Sequence, residues 1–191
     1  MLSRGALILA LVLVMVTGAV GAAEKVGLGP YEVQFDLNTT ENYTIKLNEP
    51  QMGEEREIEP DRNNSVNLYS FLLALEDGAG ATVSVMEWLR FTDATFMESI
   101  ALQRLMYECY GYANLSGYYL DIDGHQGYLM IAEGDPSLRW GERNFAAWYW
   151  LDKIDISLGV VSYGRTRVGI TGNISSELTE RLLETIRVMR A

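Results

Sequence analysis

The chain reads as an α+β domain, an antiparallel β-sheet packed by two main helices in an α/β/α-type sandwich. Three features carry that expectation. Several short stretches alternate apolar and polar residues with a period of two, turn signals such as Asp77-Gly78-Ala79-Gly80 and Asp123-Gly124 separate them, and two longer stretches place apolar residues at helical offsets. The chain has 191 residues, 48% of them hydrophobic, which suits one domain with a substantial core rather than two.

At the N-terminus, Met1-Leu2-Ser3-Arg4 supplies a short positive region and Gly5 to Val16 is almost wholly aliphatic. A run of small residues from Thr17 to Ala23 follows, as signal peptidase requires. Residues 1–23 are therefore expected to be a signal peptide, cleaved after Ala23, with an uncleaved signal anchor as the alternative. Residues 24–191 are expected to form the single α+β domain of a secreted or cell-surface protein, with no membrane insertion after cleavage. A lone cysteine, Cys109, cannot close an internal disulfide, so the core must hold the fold. Asn38, Asn42, Asn63, Asn114 and Asn173 each open an N-glycosylation sequon.

Along the domain, Tyr31–Leu37 and Asn42–Leu47 alternate across an Asn-Thr-Thr-Glu turn and predict an opening hairpin. Residues 49–65 lose periodicity and carry six carboxylates between Glu49 and Asp61, an expected acidic surface loop. Val66–Glu76 and Ala81–Phe91 predict the next hairpin. Thr95–Tyr110 predicts a helix with Thr95 and Glu98 as a capping box and Gly111 as its stop. Ala101, Leu102, Leu105, Met106 and Cys109 would form its buried face, which turns the thiol inward.

Tyr118–Ile122 and Gln126–Ala132 flank the Asp123-Gly124 turn as a further hairpin. Asp121, Asp123 and His125 fall at alternate positions there, a crude metal constellation, although the ligand spacing of a helix-loop-helix calcium site is absent. Arg143–Leu151 reads as an aromatic strand. Phe145, Ala147, Tyr149 and Leu151 fall on one face, Ala146, Trp148 and Trp150 on the other. An open face bearing Trp148 and Trp150, with Tyr149 between them in sequence, would stack on a sugar ring or apolar ligand; a sheet covered on both faces accounts for the same residues. Ile156–Ser162 and Arg165–Thr171 predict a last hairpin about Tyr163-Gly164. Ser175 or Ser176 then caps a closing helix whose stripe is Leu178, Leu182, Leu183, Ile186 and Met189.

This element order, with the strand-to-helix junction Gly172-Asn173-Ile174-Ser175-Ser176-Glu177-Leu178, resembles the PsbP-like fold over about Tyr31 to Met189. That family includes extrinsic photosystem proteins, a nuclear Ran-binding factor and small exported prokaryotic domains. The resemblance implies a non-enzymatic binding or assembly-support domain. It carries over no functional residue.

Fifteen Lys and Arg stand against 26 Asp and Glu, a formal charge of −11, and such a field repels nucleic acid and anionic membranes. Phosphate-loop, dinucleotide and zinc-cluster patterns are absent, so no cofactor is implied. The leading expectation is an exported non-enzymatic binding or structural accessory domain whose partner is an extracellular protein or glycan. Two alternatives come from other classes. One is a secreted hydrolase, built on a carboxylate pair or on His125 as an esterase base; the other is a calcium-dependent surface protein using the acidic loop or Asp121 and Asp123.

Overall fold

The computed structural model describes residues 23–56, 63–138, 141–156 and 161–191. The expected signal peptide, Ala23 apart, lies outside the described residues, as does the middle of the expected acidic loop.

Among the described residues strands dominate, at 58% against 15% helix, so the expected sandwich of two main helices about one sheet gives way to a mainly β architecture with two antiparallel sheets. In chain order the elements are β1 (Glu24–Leu28), β2 (Tyr31–Phe35), β3 (Tyr43–Leu47), β4 (Gln51–Arg56), β5 (Asn63–Leu75) and β6 (Gly80–Asp93). Helix α1 (Met97–Cys109) precedes β7 (Asn114–Ile122), β8 (His125–Glu133), β9 (Arg143–Trp150), β10 (Ile154–Ile156) and β11 (Val161–Gly172). Helix α2 (Ser176–Thr185) and β12 (Arg187–Arg190) close the fold.

The large sheet runs β3-β5-β6-β11-β9-β8-β7, with β4 beside β5 and β10 beside β11; the small sheet is β1-β2-β12. Strict alternation makes the large sheet two-sided. Val83, Val85, Phe145, Ala147, Tyr149, Val168 and Ile170 face the small sheet and α2, forming the main core with Val33, Phe35, Leu182 and Ile186. On the other face Trp88, Met130, Ala146, Trp148 and Trp150 pack with Phe96, Tyr107 and Tyr112 around α1. The face assignment expected for the aromatic strand holds residue by residue.

The hairpin of β5 and β6 and that of β7 and β8 also stand where expected. The second turns on Asp123 and Gly124, with φ of 57° and 75°, the paired left-handed residues that a two-residue hairpin of right-handed twist demands. The expected opening hairpin does not form. β2 pairs with β1 and β12, whereas β3 pairs with β5 in the other sheet. β3 gains the 13-residue β5 as its partner, and β2 is ladder-bonded on both edges. The expected acidic loop likewise contributes β4, whose residues from Gln51 to Arg56 pair with Leu68 back to Asn63.

The closing helix is shorter than expected. Ser175 caps it as predicted, its side chain accepting Leu178 N–H at 3.2 Å, but the helix ends at Thr185 and Met189 lies in β12. Thr185 Oγ1 accepts Asp36 N–H at 3.0 Å and donates to Asp36 O at 2.9 Å, which fixes the helix end beside β2. Beyond it Ile186 and Val188 are buried at alternate positions. The free edge of β2 supplies the ladder they join.

Two further expectations fail for packing reasons. Tyr163-Gly164 is no turn: β11 runs through both residues, with a register irregularity between Gly164 and Thr166. A Cβ on Gly164 would lie 2.5 Å from the Trp150 ring, so close aromatic approach selects this glycine. In α1, Thr95 is not the cap. Phe96 holds that position without a side-chain bond, and Thr95 N–H instead donates to Asp93 Oδ1 at 2.8 Å. Gly111, with φ of 92°, follows the helix as expected.

Candidate functional site

Helix α1 turns a different face to the sheet from the one its hydropathy suggests. Phe96, Ile100 and Tyr107 pack in the aromatic cluster, while Leu102, Leu105, Met106 and Cys109 are exposed. The thiol expected to be buried is therefore at the surface. Aromatic anchoring explains the rotation. Tyr107 donates its hydroxyl to Asn144 Oδ1 at 2.9 Å on β9 and meets the Tyr112 ring edge-on at 5.4 Å. Burial, then the neighbouring Tyr112, raises the Tyr107 hydroxyl above the usual tyrosine range. It remains a neutral hydrogen-bonded anchor.

Those anchors sit over β8 and β9 and leave the middle of the sheet under α1 uncovered by large side chains. Facing residues are small there on β6 and β11, and on β9 at Ala146. Ala146, Thr171 and Thr82 form one cross-strand row, and Gly169 and Ser84 sit side by side in the next. The result is a cleft with two compartments. The outer one has a volume of about 490 Å³, with Thr82, Gly172 and Leu72 against Gln103, Met106 and Tyr110 of α1. The inner one is about 170 Å³ and is bounded by Ser84, Gly169, Trp148 and Arg167 with Ser99 and Leu102 of α1. Gln103 and Thr171 belong to both. The outer volume falls within the roughly 300–1,000 Å³ typical of small-molecule sites.

A close backbone approach keeps the outer floor flat. Asn173 N–H donates to Gly80 O at 2.9 Å, and Asn173 Oδ1 accepts Gly80 N–H at 2.8 Å. A Cβ on Gly172 would meet Gly80 O, so no side chain fits between these strands. In the inner compartment Arg167 Nη1 donates to Ser99 Oγ at 3.3 Å, tying the floor to the first turn of α1. Its guanidinium lies 5.3 Å from the Trp88 ring centre and 6.0 Å from that of Trp150.

The aromatic residues singled out from sequence divide between the two faces. Trp148 and Trp150 are 6% and 4% exposed, beneath α1, so they form no open stacking platform. Trp148 nonetheless borders the inner compartment. Tyr149 lies in the opposite core, where it donates its hydroxyl to Asp123 Oδ2 at 3.1 Å. Burial, followed by the adjacent Asp123 charge, raises that hydroxyl well above its ordinary value.

The metal constellation does not assemble. Asp121 accepts Gly124 N–H at 3.1 Å within the turn, whereas Asp123 serves Tyr149, Val188 N–H and the Arg187 guanidinium. His125 stacks on the Tyr149 ring at 5.7 Å. Among the described residues no three His, Cys, Asp or Glu side chains converge as a metal ion would need. His125 and Tyr149 belong to the sheet face opposite the cleft. Of the sequon residues, Asn38, Asn42 and Asn114 are exposed, and the side chain of Asn63 lies outside the described residues. Asn173 is half-buried with its side chain engaged at the cleft.

Sequence reasoning missed the cleft because small floor residues carry no motif and come from separate strands. The available signal was the stripe Phe96, Ile100, Gln103 and Tyr107, at helical spacing but less apolar than its rival. Comparisons with protein-family models, with curated proteins and with solved structures find no match to this chain. The PsbP-like resemblance rests on element order and on the strand-to-helix junction from Gly172 to Leu178.

Proposed function

We propose that this chain is an exported, non-enzymatic binding domain that holds a small organic ligand between α1 and the large sheet. One observation carries the reading: an open compartment of about 490 Å³ whose floor is kept clear by Gly80, Thr82, Thr171 and Gly172 on neighbouring strands and whose α1 wall offers Met106 and Tyr110. Core packing ordinarily fills such a space. Here the two aromatic anchors hold the helix without filling it. The mixed lining suits a ligand with an apolar body and a few polar atoms. The apolar N-terminal segment Gly5–Val16 supports export.

Filling the outer compartment tests this. Wild-type protein titrated with 8-anilinonaphthalene-1-sulfonate is expected to give a saturable one-to-one fluorescence rise. Thr82→Trp, whose indole occupies the floor, should abolish that rise while far-UV circular dichroism and melting temperature stay near wild type. An undiminished rise in a folded Thr82→Trp protein would place the binding surface elsewhere and end the proposal.

A further inference from the structure

The two sheets are protected along every edge but one. Among the described residues six strands have a single ladder partner: β1, β3, β4, β7, β10 and β12. Five of them are short, at three to six residues, and each carries charge: Lys25 on β1, Lys46 on β3, Asp155 on β10, Arg187 on β12, and half of β4 in sequence. Short length and charge keep a strand edge from pairing with another chain. β7 has little of either. It runs nine residues, Asn114–Ile122, without Lys, Arg, Glu or Pro. Its one charge, Asp121, is near the end of the strand and accepts Gly124 N–H in the turn. Tyr118 and Tyr119 are 48% and 52% exposed, one on each face of the sheet. Tyr119 ends an aromatic row that crosses three strands as Tyr119, Tyr128 and Trp148, with ring centres 5.1 and 5.4 Å apart. The row stops at an open edge.

We propose that β7 pairs antiparallel with β7 of a second copy of this chain, about a two-fold axis that passes through Tyr118 perpendicular to the sheet, so that the large sheets of two protomers run on as one. Such an axis carries each face of the sheet onto the same face, and each residue must then sit opposite one of its own parity. Tyr118 is the midpoint of Asn114–Ile122, so the register centred on it pairs the strand over its whole length. Tyr118 then meets its own copy, Gly117 faces Tyr119, Ser116 faces Leu120 and Leu115 faces Asp121. Aromatic side chains directly opposite each other support an antiparallel pair. Gly117 carries no side chain, and a Cβ there would meet the Tyr128 hydroxyl. The incoming Tyr119 ring therefore lands beside Tyr128 and continues the aromatic row across the interface. Self-complementarity selects a second copy as the occupant, because one register satisfies both strands at once and closes the assembly at two. Charge permits it at this edge. Two chains of formal charge −11 repel each other, so they associate where charge is sparse. The two Asp121 side chains fall at opposite ends of the pairing, about 20 Å apart, beyond the screening length of roughly 8–10 Å.

Sedimentation velocity tests the pairing. The full-length protein at tens of micromolar should show a species of twice the chain mass, with monomer appearing on dilution. Tyr118→Lys, which sets two ammonium groups opposite each other on the axis, should raise the dissociation constant at least about tenfold. Because Tyr118 is exposed, far-UV circular dichroism and melting temperature should stay near wild type. Met52→Lys, an equal charge placed at an exposed position on β4, should leave the dimer intact. Amide hydrogen exchange on the wild type reports without any variant: peptides covering β7 should exchange more slowly as protein concentration rises, and those covering β3 should not. A wild type that stays monomeric, mass that grows past two chains, a dimer that Tyr118→Lys leaves unweakened, or β7 exchange indifferent to concentration overturns the proposal.

Discussion

The carboxylate of Asp123 accepts the backbone N–H of Val188 at 2.8 Å, so the turn joining β7 to β8 in the large sheet clasps β12 of the small one. The same oxygen accepts the Tyr149 hydroxyl, and Arg187 lies 3.7 Å from its neighbour. At 10% side-chain exposure, Asp123 is the polar pin between two otherwise apolar layers. Its φ of 57° adds a backbone requirement that Asn also meets.

Asp123→Ala should therefore destabilise the fold by roughly 2–4 kcal/mol, since two hydrogen bonds to a charged acceptor are lost and two donors are left in a buried setting. Asp123→Asn, which keeps the left-handed preference and one acceptor oxygen, should cost about half as much. Urea denaturation of the two variants checks the ranking. Equal midpoints for wild type and Asp123→Ala would show that the pin is idle.

Alkali should expose the same network. The Tyr149 hydroxyl is raised above its ordinary value by burial and then by Asp123, so the folded state keeps this proton at pH values where the unfolded chain has lost it. The stabilisation is complete below the unfolded tyrosine pKa of about 10 and falls as pH rises past it, at up to about 1.4 kcal/mol per pH unit for one such group. Tyr43 and Tyr107 are shifted in the same direction, chiefly by burial. Tyr149→Phe should be less stable at pH 7 by about 1 kcal/mol and lose stability less steeply between pH 10 and 12. Equilibrium unfolding across that range measures the slope, and an unchanged slope in the variant would contradict the assignment.

Gly164 and Gly27 make a matched pair of strand glycines. A Cβ at Gly164 meets the Trp150 ring at 2.5 Å, whereas one at Gly27 meets nothing within 4 Å. Gly164→Ala should cost about 1–3 kcal/mol by overpacking and shift the tryptophan emission. Gly27→Ala should be neutral or stabilising by up to about 1 kcal/mol, because the unfolded chain loses more freedom. Thermal melts of both variants decide it, and the reverse order would refute the packing account.

Local pattern made some of this architecture readable. Alternation gave the two faces of β9, the Asp123-Gly124 signal gave the hairpin of β7 and β8, and Ser175 gave the start of α2. Each depends on residues close in sequence. What alternation cannot state is which strand lies beside which. Val33 and Val188 pair across the small sheet with almost the whole domain between them, and β2 looked equally suited to β3. The orientation of α1 failed for a related reason. As a stripe Leu102, Leu105 and Met106 are more apolar than Ile100, Gln103 and Tyr107, yet ring-to-ring contact with Tyr112 just past the helix and a bond to Asn144 on β9 decide the rotation. The cleft lies at the far end of that scale. Thr82, Ser84, Ala146, Gly169 and Thr171 are unremarkable until three strands are laid side by side.

The bond between Asp36 and Thr185 spans 149 positions, and Glu24–Phe35 shares its sheet with Arg187–Arg190. This layer cannot assemble from any fragment that lacks either end of the domain. Until both ends meet, Val83, Val85, Val168 and Ile170 of the large sheet have no cover. Folding should therefore be governed by late pairing of distant segments, in the slow range of milliseconds to seconds that non-local β topologies occupy. A chain kept extended during such a delay would remain threadable through a narrow pore, and would lock only when the second sheet shuts.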